Sequence, residues 1–313
     1  MIEPERKSLA APVGRGKSGH NKLLTEFAPA KINLTLAVKG RRRDGYHELS
    51  SLVAFASIGD ELMLAPGNAL SLHVKGPFAD AAGDIHANLV LKAARALERR
   101  VPQLKLGAFS LNKLVPVAAG LGGGSADAAA ALRLLARTNG LSLEHLAIAE
   151  AAAETGSDVP VCLSGGFGGC RMMGGRGDIL GPTLRPPCFD LVLLNPGTAL
   201  DTRLVFGAFA ALPLKPHSRE FEPPVGSGSH HDWVVAIAAC GNDLEGPAIG
   251  LVPVIDSAKN ALQDQPDCLL ARMCGSGATV FGMFADAGAA QGAARRLAAA
   301  FPHWWVRAAK LAS

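Results

Sequence analysis

Gly120-Leu121-Gly122-Gly123-Gly124 puts four glycines into five residues, and an Ala/Leu-rich segment begins directly behind them. So short a run without side chains lets backbone N–H groups converge on an anion, and a helix starting there adds the positive end of its dipole. The chemistry on offer is capture of a phosphate group. Ala126, Ala128 to Ala131, Leu132, Leu134 and Leu135 predict the helix, with Ser125 as its N-cap and Gly140 as its stop. Upstream, Phe109, Leu111, Leu114 and Val115 predict a strand, so the element reads strand, glycine loop, helix. One or two glycines would serve a tight turn; four beside a helix start argue for a nucleotide held against bare backbone.

Two other phosphate-loop designs fit less well. A dinucleotide fingerprint needs a third glycine where Ser125 stands, and a second strand ending in an acid. Here a second helical pattern follows instead, through Leu143, Leu146, Ala147, Ala149 and Ala153, which weakens a nicotinamide dehydrogenase. Ala11-Pro12-Val13-Gly14-Arg15-Gly16-Lys17-Ser18 is a loosened Walker A, but no apolar strand precedes it and polar residues follow.

The elements that must position the loop belong to a chain of 313 residues, long enough for two domains packed into one body. Its net charge of +4 lies mostly in residues 1–22, where five basic residues face Glu3 and Glu5 and leave +3. That stretch reads as a disordered basic tail, and the near-neutral remainder with few aromatics gives no footprint for nucleic acid. No apolar run reaches the length of a membrane span, and no secretory signal opens the chain, so a cytoplasmic protein is expected. Six cysteines without a Cys-x-x-Cys pair predict reduced thiols and no structural metal. His230-His231-Asp232, between Pro, Gly and Ser residues, reads as a loop tip.

Lys31 to Lys39 alternates, with Ile32, Leu34, Leu36 and Val38 on one face and Lys31, Asn33, Thr35 and Ala37 on the other, which predicts a half-buried strand. A turn at 41–45 leads into Tyr46-His47-Glu48-Leu49, and Tyr46 is the single tyrosine. Further strands are expected at Glu61–Leu64 and Leu70–Val74, and a helix capped by Asn88 follows with Leu89, Ala93 and Leu97. Gly156 ends the second helix after the glycine loop, and Asp158 stands just beyond, a position where an aspartate often serves only a turn. Arg185-Pro186-Pro187 predicts a domain boundary, giving domains at 23–184 and 185–313. Beyond it come a buried strand at Leu191–Leu194, a long loop from Leu212 to Trp233, helices toward Leu262, and a strand at Leu269–Met273. The chain then closes with a second glycine loop at 274–279, a strand at Val280–Phe284, a helix capped by Asp286, and a strand at Trp304–Ala309.

Pro29-Ala30-Lys31-Ile32-Asn33-Leu34, the stretch from Pro116 to Ala126, and Gly275-Ser276-Gly277-Ala278 resemble the three motifs of the GHMP small-molecule kinases, in the same order. Arg43 to Leu49 and Gly156 to Pro160 resemble the branch of that family acting on a cytidine-diphospho substrate in isoprenoid precursor synthesis. The resemblance implies an α+β fold, with a ribosomal-protein-S5-like N-terminal domain, a ferredoxin-like C-terminal domain, and ATP and substrate meeting between them. It implies Lys31 and Asp158 as the catalytic pair. Pro116, Val117, Ala118, Ala119, Gly120, Leu121, Gly122, Gly123, Gly124, Ser125 and Ala126 would hold the ATP phosphates, with Asn88 and Lys113 on the adenine and ribose side. Tyr46, His47, Asn33, Thr202 and Phe206 would hold the substrate, the aromatics enclosing its cytosine.

Chemically the pair suits phosphoryl transfer to a hydroxyl: Asp158 takes the proton, while Lys31 keeps it ionised and stabilises the acceptor oxygen. Magnesium accompanies ATP on chemical grounds, with Ser125 a candidate ligand, and the sequence supplies no dedicated protein metal site. Ala118 and Ala119, which replace glycines, would be tolerated at negative φ. Another small-molecule kinase of the family, for homoserine, mevalonate or a sugar, and a non-catalytic nucleotide-binding relative are the alternative readings. A monomer or homodimer is expected, with no membrane or nucleic-acid partner.

Overall fold

A computed structural model describes residues 23–43, 45, 47–164, 169–213, 218–226 and 228–311. The basic tail, the loosened Walker A and Tyr46 lie outside the described residues. In chain order the structure runs β1 (Leu24–Asn33), β2 (Ala37–Arg41), β3 (His47–Gly67), β4 (Ser71–Lys75), α1 (Leu89–Glu98), β5 (Leu106–Asn112), α2 (Gly123–Asn139), α3 (Leu146–Thr155), α4 (Val159–Ser164), β6 (Cys170–Gly175) and β7 (Ile179–Leu184). It continues with β8 (Asp190–Asn195), α5 (Thr202–Ala211), α6 (His230–Ala238), α7 (Glu245–Leu251), α8 (Val254–Gln263), β9 (Leu270–Met273), β10 (Val280–Phe284), α9 (Ala287–Ala300) and β11 (Trp305–Lys310).

The first seven strands form one sheet built around β3, whose neighbours include β1, β2, β5 and β6; the last four form a second sheet ordered β11-β8-β10-β9. Alternation along the strands sorts side chains into three cores. Val53 and Phe55 turn toward α1 to α4, whereas Leu52, Ala54 and Ala56 turn toward the second sheet. There they meet Leu191, Leu193, Phe281 and Met283, while Val192, Leu194, Val280 and Phe284 point the other way to α5 and α7 to α9. Strands sandwiched in this way are apolar on both faces, the reason Leu191 to Leu194 reads as an unbroken apolar run. Alanines at 126 and 128–131 are fully buried, so α2 lies closely against its neighbours and can bring its first turn to the sheet.

Several local expectations change. The strand expected over 31–39 breaks after Asn33. Leu36 donates its N–H to Gly241 and accepts one from Asp243, both at 2.9 Å, and the buried Arg272 guanidinium takes the Leu34 carbonyl at 2.8 Å. These bonds to the second body outcompete continuation of the ladder. Nor is that strand half-buried: Lys31, Asn33 and Thr35 are buried along with the apolar side chains. β3 runs for 21 residues, far beyond the short strand expected at Glu61–Leu64, because it pairs on both sides along its length. β5 stops at Asn112, since the N–H groups of Leu114 and Val115 turn onto the Asp60 carboxylate.

The N-cap of α2 is Gly122, at φ +61°, with no side-chain cap, and Ser125 sits inside the first turn. Ala118 adopts φ +50°, against the negative value that would let alanine replace glycine freely. His230-His231-Asp232 opens α6 in a capping box with Ser229, so these residues are helix start and not loop tip, and the 212–233 loop ends earlier than expected. Asn88 and Asp286 cap their helices as the sequence indicates, and Gly140 ends α2 in the left-handed region.

Candidate active site

β1 carries Lys31 and Asn33 to the sheet face on which the glycine loop lies. The Lys31 N–H donates to the Leu121 carbonyl at 2.8 Å, so the strand, paired with β3, is also bonded to the loop. At Gly122 the fit leaves no choice: a Cβ there would lie 2.9 Å from Lys31 Cε, on a backbone already at φ +61°. The loop thus roofs the lysine. From the other side, the Cys274 thiol donates to the Gly120 carbonyl at 3.2 Å, and Thr279 N–H to the Ala119 carbonyl at 3.2 Å, which ties the second glycine loop to the first.

Asp158 arrives from the turn between α3 and α4, its carbonyl bonded to Cys162 N–H in the first turn of α4. Its Oδ2 lies 2.8 Å from Lys31 Nζ, with the lysine side chain 5% and the aspartate 29% accessible. Residues 127 positions apart in sequence therefore meet under the loop. Burial works to lower the Lys31 pKa, but the charge of Asp158 and its hydrogen bond outweigh it and hold the ammonium above its ordinary value. Burial pushes the flanking thiols of Cys162 and Cys274 up to about 12 and about 11, so neither competes as a charged partner. Asn33 accepts from Lys31 Nζ at 3.0 Å and donates to Ser51 Oγ at 2.8 Å. With both ends of its amide committed, it orients the lysine.

Lys31, Asn33, Asp158 and loop residues 116–125 line one cleft of about 980 Å³, together with Asn88, Lys113, His47, Thr202 and Phe206; Ala126 is buried in α2 behind it. That volume suits a nucleotide with a second ligand. Asn88 stands at the wall with its side chain capping α1, bonded to Val90 N–H at 3.0 Å. The rings of His47 and Phe206, which also line it, stack at 4.8 Å and 19°, joining β3 to α5 as an aromatic wall. Thr202 Oγ1 lies 2.8 Å from Ser276 Oγ, pinning the start of α5 to the second glycine loop.

Lys113 is expected on the adenine and ribose side with Asn88, and both line the cleft. The Lys113 ammonium is locked between Asp60 and Asp127, the latter at 2.8 Å, with all three side chains closed to solvent. Burial first raises Asp127, Lys113 pulls it back, and Asp60 raises it further, leaving it at about 7 with Oδ1 unpartnered. Sequence reasoning missed both acids, although Asp127 alone among alanines on an apolar helix face was a visible signal. Among the described residues no cluster of three or more His, Cys, Asp or Glu side chains could hold a metal ion. No helix among them is long and apolar enough to cross a membrane.

Residues 88–166 match the model of the GHMP kinases N-terminal domain, and residues 229–303 that of the GHMP kinases C-terminal domain. The chain belongs to the GHMP kinases, ATP-dependent small-molecule phosphotransferases of α+β fold, and is an enzyme of that kind. It is 52% identical over 293 residues, covering 93% of this chain and 99% of the relative, to the 4-diphosphocytidyl-2-C-methyl-D-erythritol kinase of Methylorubrum extorquens. A crystal structure of 4-(cytidine 5'-diphospho)-2C-methyl-D-erythritol kinase superposes with a TM-score of 0.72 at 31% identity, covering 93% of this chain and 100% of that one. Homoserine kinase from Cytophaga hutchinsonii, at 16% identity and a TM-score of 0.65 over 95% of this chain and 96% of that one, shares the fold.

Proposed function

We propose that this chain transfers the γ-phosphoryl group of ATP to the 2-hydroxyl of 4-diphosphocytidyl-2-C-methyl-D-erythritol, in the cytoplasm, with residues 23–184 as the ATP-binding and catalytic domain and 185–313 as its C-terminal partner. The observation that carries the chemistry is the 2.8 Å contact of Lys31 with a partly open Asp158, roofed by the glycine loop. Phosphoryl transfer needs in-line positioning and charge stabilisation, with a base for the hydroxyl proton. Asp158 is that base: its accessible carboxylate takes the proton as the acceptor oxygen attacks, and the Lys31 ammonium, 2.8 Å away, orients it. Backbone N–H groups of the loop and the start of α2 receive the phosphates.

Magnesium fits this arrangement as the companion of ATP. The Ser125 hydroxyl in the first turn of α2 would hold it together with phosphate oxygens and water, in keeping with its preference for few protein ligands, and when bound it neutralises phosphate charge. The substrate is read from the relatives' names and from the aromatic wall. Phe206, stacked on His47, offers a base a planar surface in the cleft. The test is ADP release by the purified protein with the cytidine-diphospho acceptor beside homoserine, mevalonate and galactose. Turnover with the first alone is expected; turnover with only one of the others would overturn the substrate.

A further inference from the structure

The Lys31 ammonium carries three hydrogens and no acceptor. One meets Asp158 Oδ2 at 2.8 Å and another meets Asn33 Oδ1 at 3.0 Å, and among the described residues the third is left for a reacting atom. That division depends on which end of the Asn33 amide faces the ammonium. With its oxygen there the amide accepts; turned over, it would set its NH2 group against another donor. Lys31 and Asn33 both line the cleft, but nothing at the cleft wall itself makes this choice.

The choice is made behind the wall. Ser51, in β3 opposite Met173 of β6, is fully buried and does not line the cleft. Its hydroxyl hydrogen is spent on the Thr35 carbonyl, a group that can only accept. Toward Asn33 the hydroxyl can therefore only accept, and it takes Nδ2 at 2.8 Å. The Thr35 carbonyl is held for this by the break after β1. There Leu34 N–H donates to the Leu52 carbonyl at 2.8 Å, and Leu52 N–H donates to Thr35 Oγ1 at 2.9 Å. Lys31, Asn33, Thr35 and Ser51 are all buried, so water has little access to replace a link in the chain.

We propose that Ser51 is a positioning residue for phosphoryl transfer: the polarity its hydroxyl imposes on the Asn33 amide keeps the amide oxygen on the Lys31 ammonium and so fixes how that ammonium meets Asp158 and the reacting oxygens. This rests on the reading of Lys31 and Asp158 as the reacting pair. Ser51 touches neither substrate nor the reacting atoms, and it exchanges no proton. Its effect falls on the chemical step, where a misplacement of about 1 Å can cost about 100-fold.

The experiment compares Ser51→Thr with Ser51→Val, two side chains of one shape that differ in the hydroxyl, by ADP release with whichever acceptor the wild type turns over. Ser51→Thr should keep kcat within about threefold of wild type, whereas Ser51→Val should lower it by about 10- to 100-fold with both KM values within about threefold. Should the added methyl groups prevent folding, Ser51→Ala makes the same test without them. In an Asn33→Ala background, Ser51→Ala should cost nothing further, because the serine acts only through that amide. Proton–nitrogen correlation spectra of the resting protein, which need no acceptor, should show the Asn33 side-chain NH2 signals moved in Ser51→Ala and in place in Ser51→Thr. Equal rates for Ser51→Thr and Ser51→Val overturn the proposal, as does a Ser51→Ala loss that persists undiminished beside Asn33→Ala. An acceptor KM raised at unchanged kcat overturns it too, since that would be a loss of binding. Lys31→Met separates the two readings. Undiminished turnover in that variant removes the reacting pair itself, whereas collapsed turnover there beside an unaffected Ser51→Val removes only the role of Ser51.

Discussion

Lys31 and Lys113 are both buried against carboxylates and both line the cleft, and they differ in how completely their partners are closed. At Lys31 one ammonium meets one aspartate that keeps 29% of its side chain accessible. At Lys113 one ammonium meets two aspartates, 0% and 3% accessible, beneath the first turn of α2. The first pair balances its charge and leaves a carboxylate oxygen for an incoming proton. The second has a surplus acid and no opening, so its chemistry is turned inward: Asp60 and Asp127 fasten the loop's entry and exit to β3. The same residue types make a reactive site or a clamp according to which atoms the fold leaves uncovered.

The largest expected effect tests the open site. Asp158→Asn should lower kcat by about 10²- to 10⁴-fold, the range for a lost general base, while ATP binding measured by calorimetry persists. An unchanged rate would remove Asp158 from the chemistry. At the closed site, Lys113→Met leaves two buried acids without their cation and should cost about 3–5 kcal/mol of stability in denaturant unfolding. A variant as stable as wild type would show that the clamp is dispensable.

A pH series sharpens the contrast further. Because burial raises the folded Asp127 pKa to about 7, well above the ordinary range of a carboxylate, the folded protein holds a proton that the unfolded chain releases. The stabilisation is present at low pH and is lost as pH rises through about 7. Asp127→Asn should flatten this part of the Tm profile, and equal slopes in both proteins would contradict the buried surplus acid. The smallest effect on stability is expected for Lys31→Met. Asp158, partly in water, can be rehydrated, so stability should change by no more than about 1 kcal/mol although turnover collapses. A loss as large as that of Lys113→Met would erase the distinction between the sites.

Local signals carried much of the architecture. Asn88, Asp286 and Gly140 mark helix ends whose hydrogen bonds are made within a few residues, and the strands at 191–194 and 280–284 follow from apolar runs. The misses at the Lys31 strand and at Asp60 depended on distant atoms. The strand through Lys31 ends where the second body takes over the bonds of Leu34 and Leu36. Asp60 gave no sign of its role, because its partners lie more than 50 positions away.

By itself the sequence determined that a phosphate loop stands before a helix and that the motifs fall in the order of the GHMP kinases, and that resemblance implied Lys31 and Asp158 as a pair. Spacing and residue type suffice for the loop and the motif order, since backbone geometry and motif order are local or linear properties. Only the tertiary structure decided that Lys31 is roofed and not solvated, that Lys113 is spent on two acids, and that Ser51 holds the Asn33 amide from behind the cleft. Those facts turn on which atoms exclude water from which others, and that is settled when sheets and loops from separate parts of the chain close on one another.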